Sequence, residues 1–187
     1  MSLIDKSRAI PKKSSILLHD LEIDTSVSCK NFNDRAPGDE IQIICLHHSG
    51  SMSPKGDLNY LSMTHNPDGS RIYAGYHYYI DIDGKVYKLM DESKRAWHAG
   101  NSSLYGLTDK GGKSINGISL GICMTGDGRV PFSNNQYNAL ISLAYSLKVR
   151  YQIAPTHIIG HLHVSPGRKI DPAPFDWDRF FRGVYHQ

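Results

Sequence analysis

Cysteine is scarce. Cys29, Cys45 and Cys123 are the only three in 187 residues, too few and too odd in number for the disulfide framework of a small secreted fold, so synthesis in a reducing compartment is expected. Long apolar runs are missing as well. The opening stretch, MSLIDKSRAIPKKSSILL, has apolar pieces of two or three residues, well short of a signal-peptide core, and cytoplasmic synthesis without a leader follows. Nothing reads as a membrane-inserting segment. An excess of one charge is absent: 21 basic against 18 acidic residues give +3, and like charges run only in pairs such as Lys12-Lys13 and Lys94-Arg95. That leaves no electrostatic footprint for nucleic acid. Internal repeats and low-complexity tracts are lacking too. What remains, 40% hydrophobic and 21% charged, is the balance of one soluble globular domain with a single sizeable core.

Residues 1–38 show no sustained period and read as an N-terminal arm on a domain spanning 39–187. Ile41 to His47 is short, β-branched and nearly all apolar, as in a strand buried on both faces. Ser53-Pro54 opens a short helix with Leu58, Leu61 and Met63 on one face, ended by Asn66-Pro67-Asp68-Gly69. Tyr76–Ile82 and Lys85–Leu89 form a hairpin around Asp83-Gly84, a dipeptide suited to positive φ. Residues 100–116 are a polar surface loop, and Ile118–Met124 a second inner strand. Ser133 and Gln136 match a capping box before Tyr137, Leu140, Ile141, Ala144, Leu147 and Tyr151 at helical spacing. A strand at His157–Gly160 and a helix over Trp177–Phe181, capped by Asp176, complete an α/β domain with a central mixed sheet flanked by helices.

What the chain has in plenty is histidine, ten in all. A catalytic zinc takes three protein ligands and keeps one position open. His47 and His48 end the first inner strand, where neighbours face opposite ways, so one of the pair serves a given site. The segment His161-Leu162-His163-Val164-Ser165-Pro166-Gly167-Arg168-Lys169-Ile170-Asp171-Pro172 gathers two imidazoles, an ammonium and a carboxylate in one loop.

His47-His48-Ser49, Gly75-Tyr76-His77, the run Arg95 to Gly100, Asn116 with Ser119-Leu120-Gly121-Ile122, and Gly160-His161 through Pro172 together resemble the type 2 N-acetylmuramoyl-L-alanine amidases. These comprise amidase-type phage lysozymes, anhydro-muropeptide recycling amidases and peptidoglycan recognition proteins. The resemblance runs from about Ile41 to Phe181 and implies the fold of that family. It implies Zn2+ held by His47, His161 and Asp171, with Tyr76 and Lys169 as catalytic groups. It places Trp97, His98, Asn116 and Arg168 against substrate. The recycling amidases use a glutamate where this chain has Cys123, so the sequence joins a recycling-type metal loop to phage-type catalytic residues.

Zinc with an open position acidifies water and polarises a carbonyl, which suits amide hydrolysis. The resemblance supplies the bond, that between the lactyl group of N-acetylmuramic acid and L-alanine, and peptidoglycan or a muropeptide as partner. A monomeric phage or prophage endolysin, reaching the wall through a holin or a secretion system, is the expected setting. A cytoplasmic recycling amidase, a noncatalytic peptidoglycan-binding module and a closed structural zinc site with His163 as fourth ligand are the competing readings.

Overall fold

The computed structural model describes residues 21–108 and 113–185. Residues 1–20, most of the expected arm, lie outside the described residues. The elements in chain order are β1 (Ile23–Asp24), β2 (Phe32–Asp34), β3 (Ile43–His48), α1 (Pro54–Ser62), β4 (Tyr78–Ile80), β5 (Val86–Lys88), β6 (Lys94–Ala96), α2 (Ile115–Ile118), β7 (Ser119–Met124), α3 (Asn134–Arg150), β8 (Ile158–Gly160), α4 (His161–Val164) and α5 (Trp177–Tyr185). Six strands make a mixed sheet in the order β1-β5-β4-β7-β3-β8, and β2 pairs with β6 in a separate ribbon. Strands β4, β7, β3 and β8 run parallel, while β5 turns back antiparallel to β4.

The central strands are buried on both faces, as their apolar runs require. Ile44, Leu46, Tyr78, Ile80, Leu120 and Ile122 face α3 and α5, packing with Leu140, Leu147, Phe180 and Val184. Alternate residues point the other way: Ile43, Cys45 and Ile159 join Ile115, Ile118 and Val164, while Tyr79 and Cys123 join Leu61 and Leu89. The period of two therefore puts His47 on the face away from α3.

The capping box of α3 forms as the sequence predicts, with Ser133 Oγ accepting the Gln136 N–H at 3.1 Å and Gln136 Oε1 accepting the Ser133 N–H at 3.0 Å. Helix α1 starts at the predicted Ser53 cap but stops at Ser62, where the Met63 N–H turns back to the Tyr60 carbonyl. In the hairpin turn only Gly84 takes positive φ, at 85°. Asp81 Oδ1 accepts the N–H groups of Asp83 and Lys85, so Asp83 needs no left-handed conformation.

Residues 21–38 are woven into the domain. They supply β1, β2 and Arg35, whose guanidinium donates to the carbonyls of Glu92, Asn116, Gly117 and Ser119. Among the described residues no helix is long and apolar enough to cross a membrane.

Candidate active site

Functional groups gather at the carboxyl ends of parallel strands, where side chains leave the sheet without neighbours to cover them. His47 is the fifth residue of β3, and Leu46 pairs with Gly160, so His161, the first residue after β8, falls beside His47. Asp171 is brought back to them by its loop: the Leu162 N–H donates to the Asp171 carbonyl at 2.9 Å. Gly160 permits the approach, because a Cβ there would stand 2.6 Å from Pro172 Cδ. All three side chains are buried. Asp171 Oδ2 lies 2.8 Å from His47 Nδ1 and 3.0 Å from His161 Nδ1.

The hydrogen bonds around the two rings fix their tautomers. Ser119 Oγ donates to the Ile115 carbonyl and so accepts from His98 Nε2 at 2.9 Å. His98 Nδ1 then offers a lone pair and accepts from His47 Nε2 at 3.0 Å, which leaves His47 Nδ1 without a proton. His161 Nε2 donates to the Ala99 carbonyl at 3.0 Å, so its Nδ1 carries a lone pair as well. Burial pulls the His47 pKa down to about 4, so the ring is neutral at pH 7. Two imidazole lone pairs and a carboxylate oxygen thus converge on one point, which calls for a cation between them.

A second donor group, Cys45, His47 and His98, is already closed. His47 Nε2 and His98 Nδ1 share a proton, and burial pushes the Cys45 thiol up. His163 stands apart from the triad: its Nδ1 accepts the Gly160 N–H at 2.9 Å and its ring packs 5.2 Å from Trp177. The triad therefore stays open to the cleft.

That cleft has a volume of about 260 Å³ and is lined by His48, Tyr73, Tyr76, Trp97, Lys169 and Asp171, among others. The Tyr76 ring sits 5.1 Å from that of His47.

A family model described as N-acetylmuramoyl-L-alanine amidase matches residues 37–174. The chain belongs to that family. The amidase is 32% identical over 162 residues to the 1,6-anhydro-N-acetylmuramyl-L-alanine amidase AmpD of Enterobacter cloacae, covering 79% of this chain and 83% of the relative. It is 34% identical over 105 residues to the N-acetylmuramoyl-L-alanine amidase AmiD of Escherichia coli, covering 51% of this chain and 36% of that one. A crystal structure of a selenomethionine AmpD derivative superimposes with a TM-score of 0.66 at 25% identity, over 88% of this chain and 94% of the other. The amidase is thus a hydrolase acting on an amide bond, with the α/β fold expected from its sequence.

Of the residues expected at this amidase's site, His47, His161 and Asp171 come together, and Tyr76, Lys169, Trp97 and His98 line the cleft. Burial pushes the Tyr76 phenol well above its ordinary pKa, so it is a protonated donor. His98 is expected against substrate, but its ring is buried and bonded at both nitrogens. Asn116 and Arg168, also expected there, brace one backbone segment instead. Asn116 Oδ1 accepts the Ala99 N–H at 2.8 Å. Arg168 donates to the carbonyls of Ala99 and Asn101 and to Ser102 and Ser165. Ser119 and the Ala99 carbonyl, which orient the two histidines, sit inside the motifs already quoted. Their sign in the sequence is an alcohol on an otherwise apolar strand and the small residue after His98.

Proposed function

We propose that this amidase is zinc-dependent and cleaves the amide between the lactyl group of N-acetylmuramic acid and L-alanine, acting on soluble anhydro-muropeptides. The observation that carries the reading is the convergence of His47 Nδ1, His161 Nδ1 and the Asp171 carboxylate at the floor of an open cleft. Two imidazoles and one carboxylate are a donor set that zinc accepts in catalytic sites. Held there, zinc supplies Lewis acidity toward water and toward a carbonyl oxygen. The chain's own groups do the rest. The Lys169 ammonium faces the cleft and favours negative charge developing on the amide oxygen. The Tyr76 hydroxyl, kept protonated by burial, donates to the same region. His98 keeps His47 turned with its lone pair into the site, and Ala99 does so for His161.

The soluble substrate is supported by the relatives named 1,6-anhydro-N-acetylmuramyl-L-alanine amidase, in place of the endolysin role expected from the sequence. The endolysin reading keeps one observation in its favour: a tyrosine at 76 beside Cys123 where the recycling enzymes are expected to carry a glutamate.

The test gives the metal-loaded protein, its chelated form and Asp171→Ala both purified peptidoglycan and a soluble anhydro-muropeptide, and counts new L-alanine amino termini. Release from the soluble substrate that disappears on chelation and in the variant is expected. Preference for intact wall would favour the endolysin, and binding without release would leave a recognition module.

A further inference from the structure

Amide hydrolysis takes a proton from the attacking water and returns one to the leaving nitrogen, yet the polar groups lining the cleft are donors or already engaged. The Tyr76 phenol is kept protonated by burial, and the Lys169 ammonium only donates. His98 is bonded at both nitrogens, His161 belongs to the triad with Asp171, and His48 Nδ1 accepts the Gly50 N–H at 3.1 Å. Beside Tyr76 lies a second chamber of about 60 Å³, lined by Ser49, Asp57, Tyr60, Leu61, Ala74 and Tyr76. Ser49, Ala74 and Tyr76 line the cleft as well, so the two spaces share a wall. Asp57, in the first turn of α1, is only 9% exposed. Its Oδ2 accepts the Tyr79 hydroxyl at 2.7 Å, and among the described residues no group donates to its Oδ1. Tyr79, Cys123 and His47 are register partners on one sheet face, so this carboxylate ends a row of side chains that leads to the triad.

We propose that Asp57 is the proton acceptor of the hydrolysis, working through water in the chamber beside Tyr76. The inference rests on the amidase reading. The chamber has room for about two water molecules at about 30 Å³ each, enough to join Oδ1 to the cleft. As the water oxygen bonds to the amide carbon, its proton passes along this path to Oδ1. As the carbon–nitrogen bond breaks, that proton goes to the L-alanine nitrogen, and the carboxylate is restored. Tyr79, whose phenol burial holds far above its ordinary pKa, stays a donor and fixes the other oxygen. No cation pairs with Asp57 among the described residues, so the proton meets no rival for Oδ1.

Asparagine still accepts from Tyr79 but takes up no proton, so Asp57→Asn separates the two roles of this side chain. In the zinc-loaded protein acting on a soluble anhydro-muropeptide, Asp57→Asn should lower kcat about 100-fold or more and leave KM unchanged. Its zinc affinity, read with a chromophoric chelator, should equal that of the unsubstituted protein. Asp57→Glu, which keeps the charge, should retain more of the rate than Asp57→Asn. Formate is small enough for the chamber and should restore activity saturably to Asp57→Ala, but not to Tyr79→Phe, whose carboxylate is in place. Full kcat in Asp57→Asn overturns the proposal. Equal losses in Asp57→Asn and Tyr79→Phe, with no formate rescue of Asp57→Ala, overturn it too, since Asp57 would then only brace α1 on the sheet. An unsubstituted protein that hydrolyses nothing would overturn the amidase reading and this proposal together, whereas hydrolysis that survives Asp57→Asn overturns this proposal alone.

Discussion

Ser119 donates its only hydroxyl proton to a backbone carbonyl, and that constraint passes through His98 to decide which nitrogen of His47 is bare. Ser119→Ala should therefore leave the fold intact and weaken zinc binding about 10–100-fold, the usual cost of losing an outer partner of a ligand. Competition with a chromophoric chelator would read it, and unchanged affinity would refute the relay. Gly121→Ala should act on the same ring by another route, since its Cβ would stand 2.6 Å from His98 Cγ. The residues alone marked a strand end and one short loop but left His47 against His48 and His161 against His163 open; the resemblance to the family singled out the trio that the fold brings together. The true partners of Arg168 were not legible: its guanidinium reaches the Ala99 carbonyl 69 positions away, and a carbonyl left over by one loop carries no mark in the residues of another.

At the scale of elements, legibility followed length. Helix α3 declared itself through its capping box and apolar stripe, and β3 and β7 through their unbroken apolar runs. Strands β1, β2 and β6, of two or three residues, and the four-residue α2 are too short to show any period. The strands exist because a neighbour supplies the hydrogen bonds, and α2 because Ser114 caps it while Ile115 and Ile118 pack against the sheet. Helix α5 runs past its expected end at Phe181 to Tyr185, because Val184 still faces the core. The cap of α3 is worth testing by itself. Ser133→Ala should lower stability by about 0.5–2 kcal/mol in urea unfolding, leaving activity unchanged, since Ser133 lies at the Ile82 carbonyl and not in the cleft.

Across the whole molecule, part of the acid sensitivity should trace to a carboxylate remote from the cleft. Glu92 is buried, which by itself would raise its pKa, but Tyr151, Tyr78 and Arg150 donate to it and hold it below the ordinary value of 4.5. A depressed carboxyl adds stability that is present above its unfolded pKa and lost as pH falls through the folded one. The urea midpoint should hence decline below about pH 4.5, and Glu92→Gln should start lower but fall less steeply. A parallel decline in both proteins would place the sensitivity elsewhere.

Arg35 gives the molecule a different kind of consequence, for modularity. By reaching carbonyls at Glu92 and at the junction of α2 with β7, it stitches a leading segment across pieces distant in the chain. A cassette cut at residue 39 and grafted onto another protein would lose two strands and strand those carbonyls in a dry seam. It should express as aggregate, whereas one beginning at Leu21 should transplant as a working unit, and counting soluble yield from the two grafts would show where the portable enzyme begins.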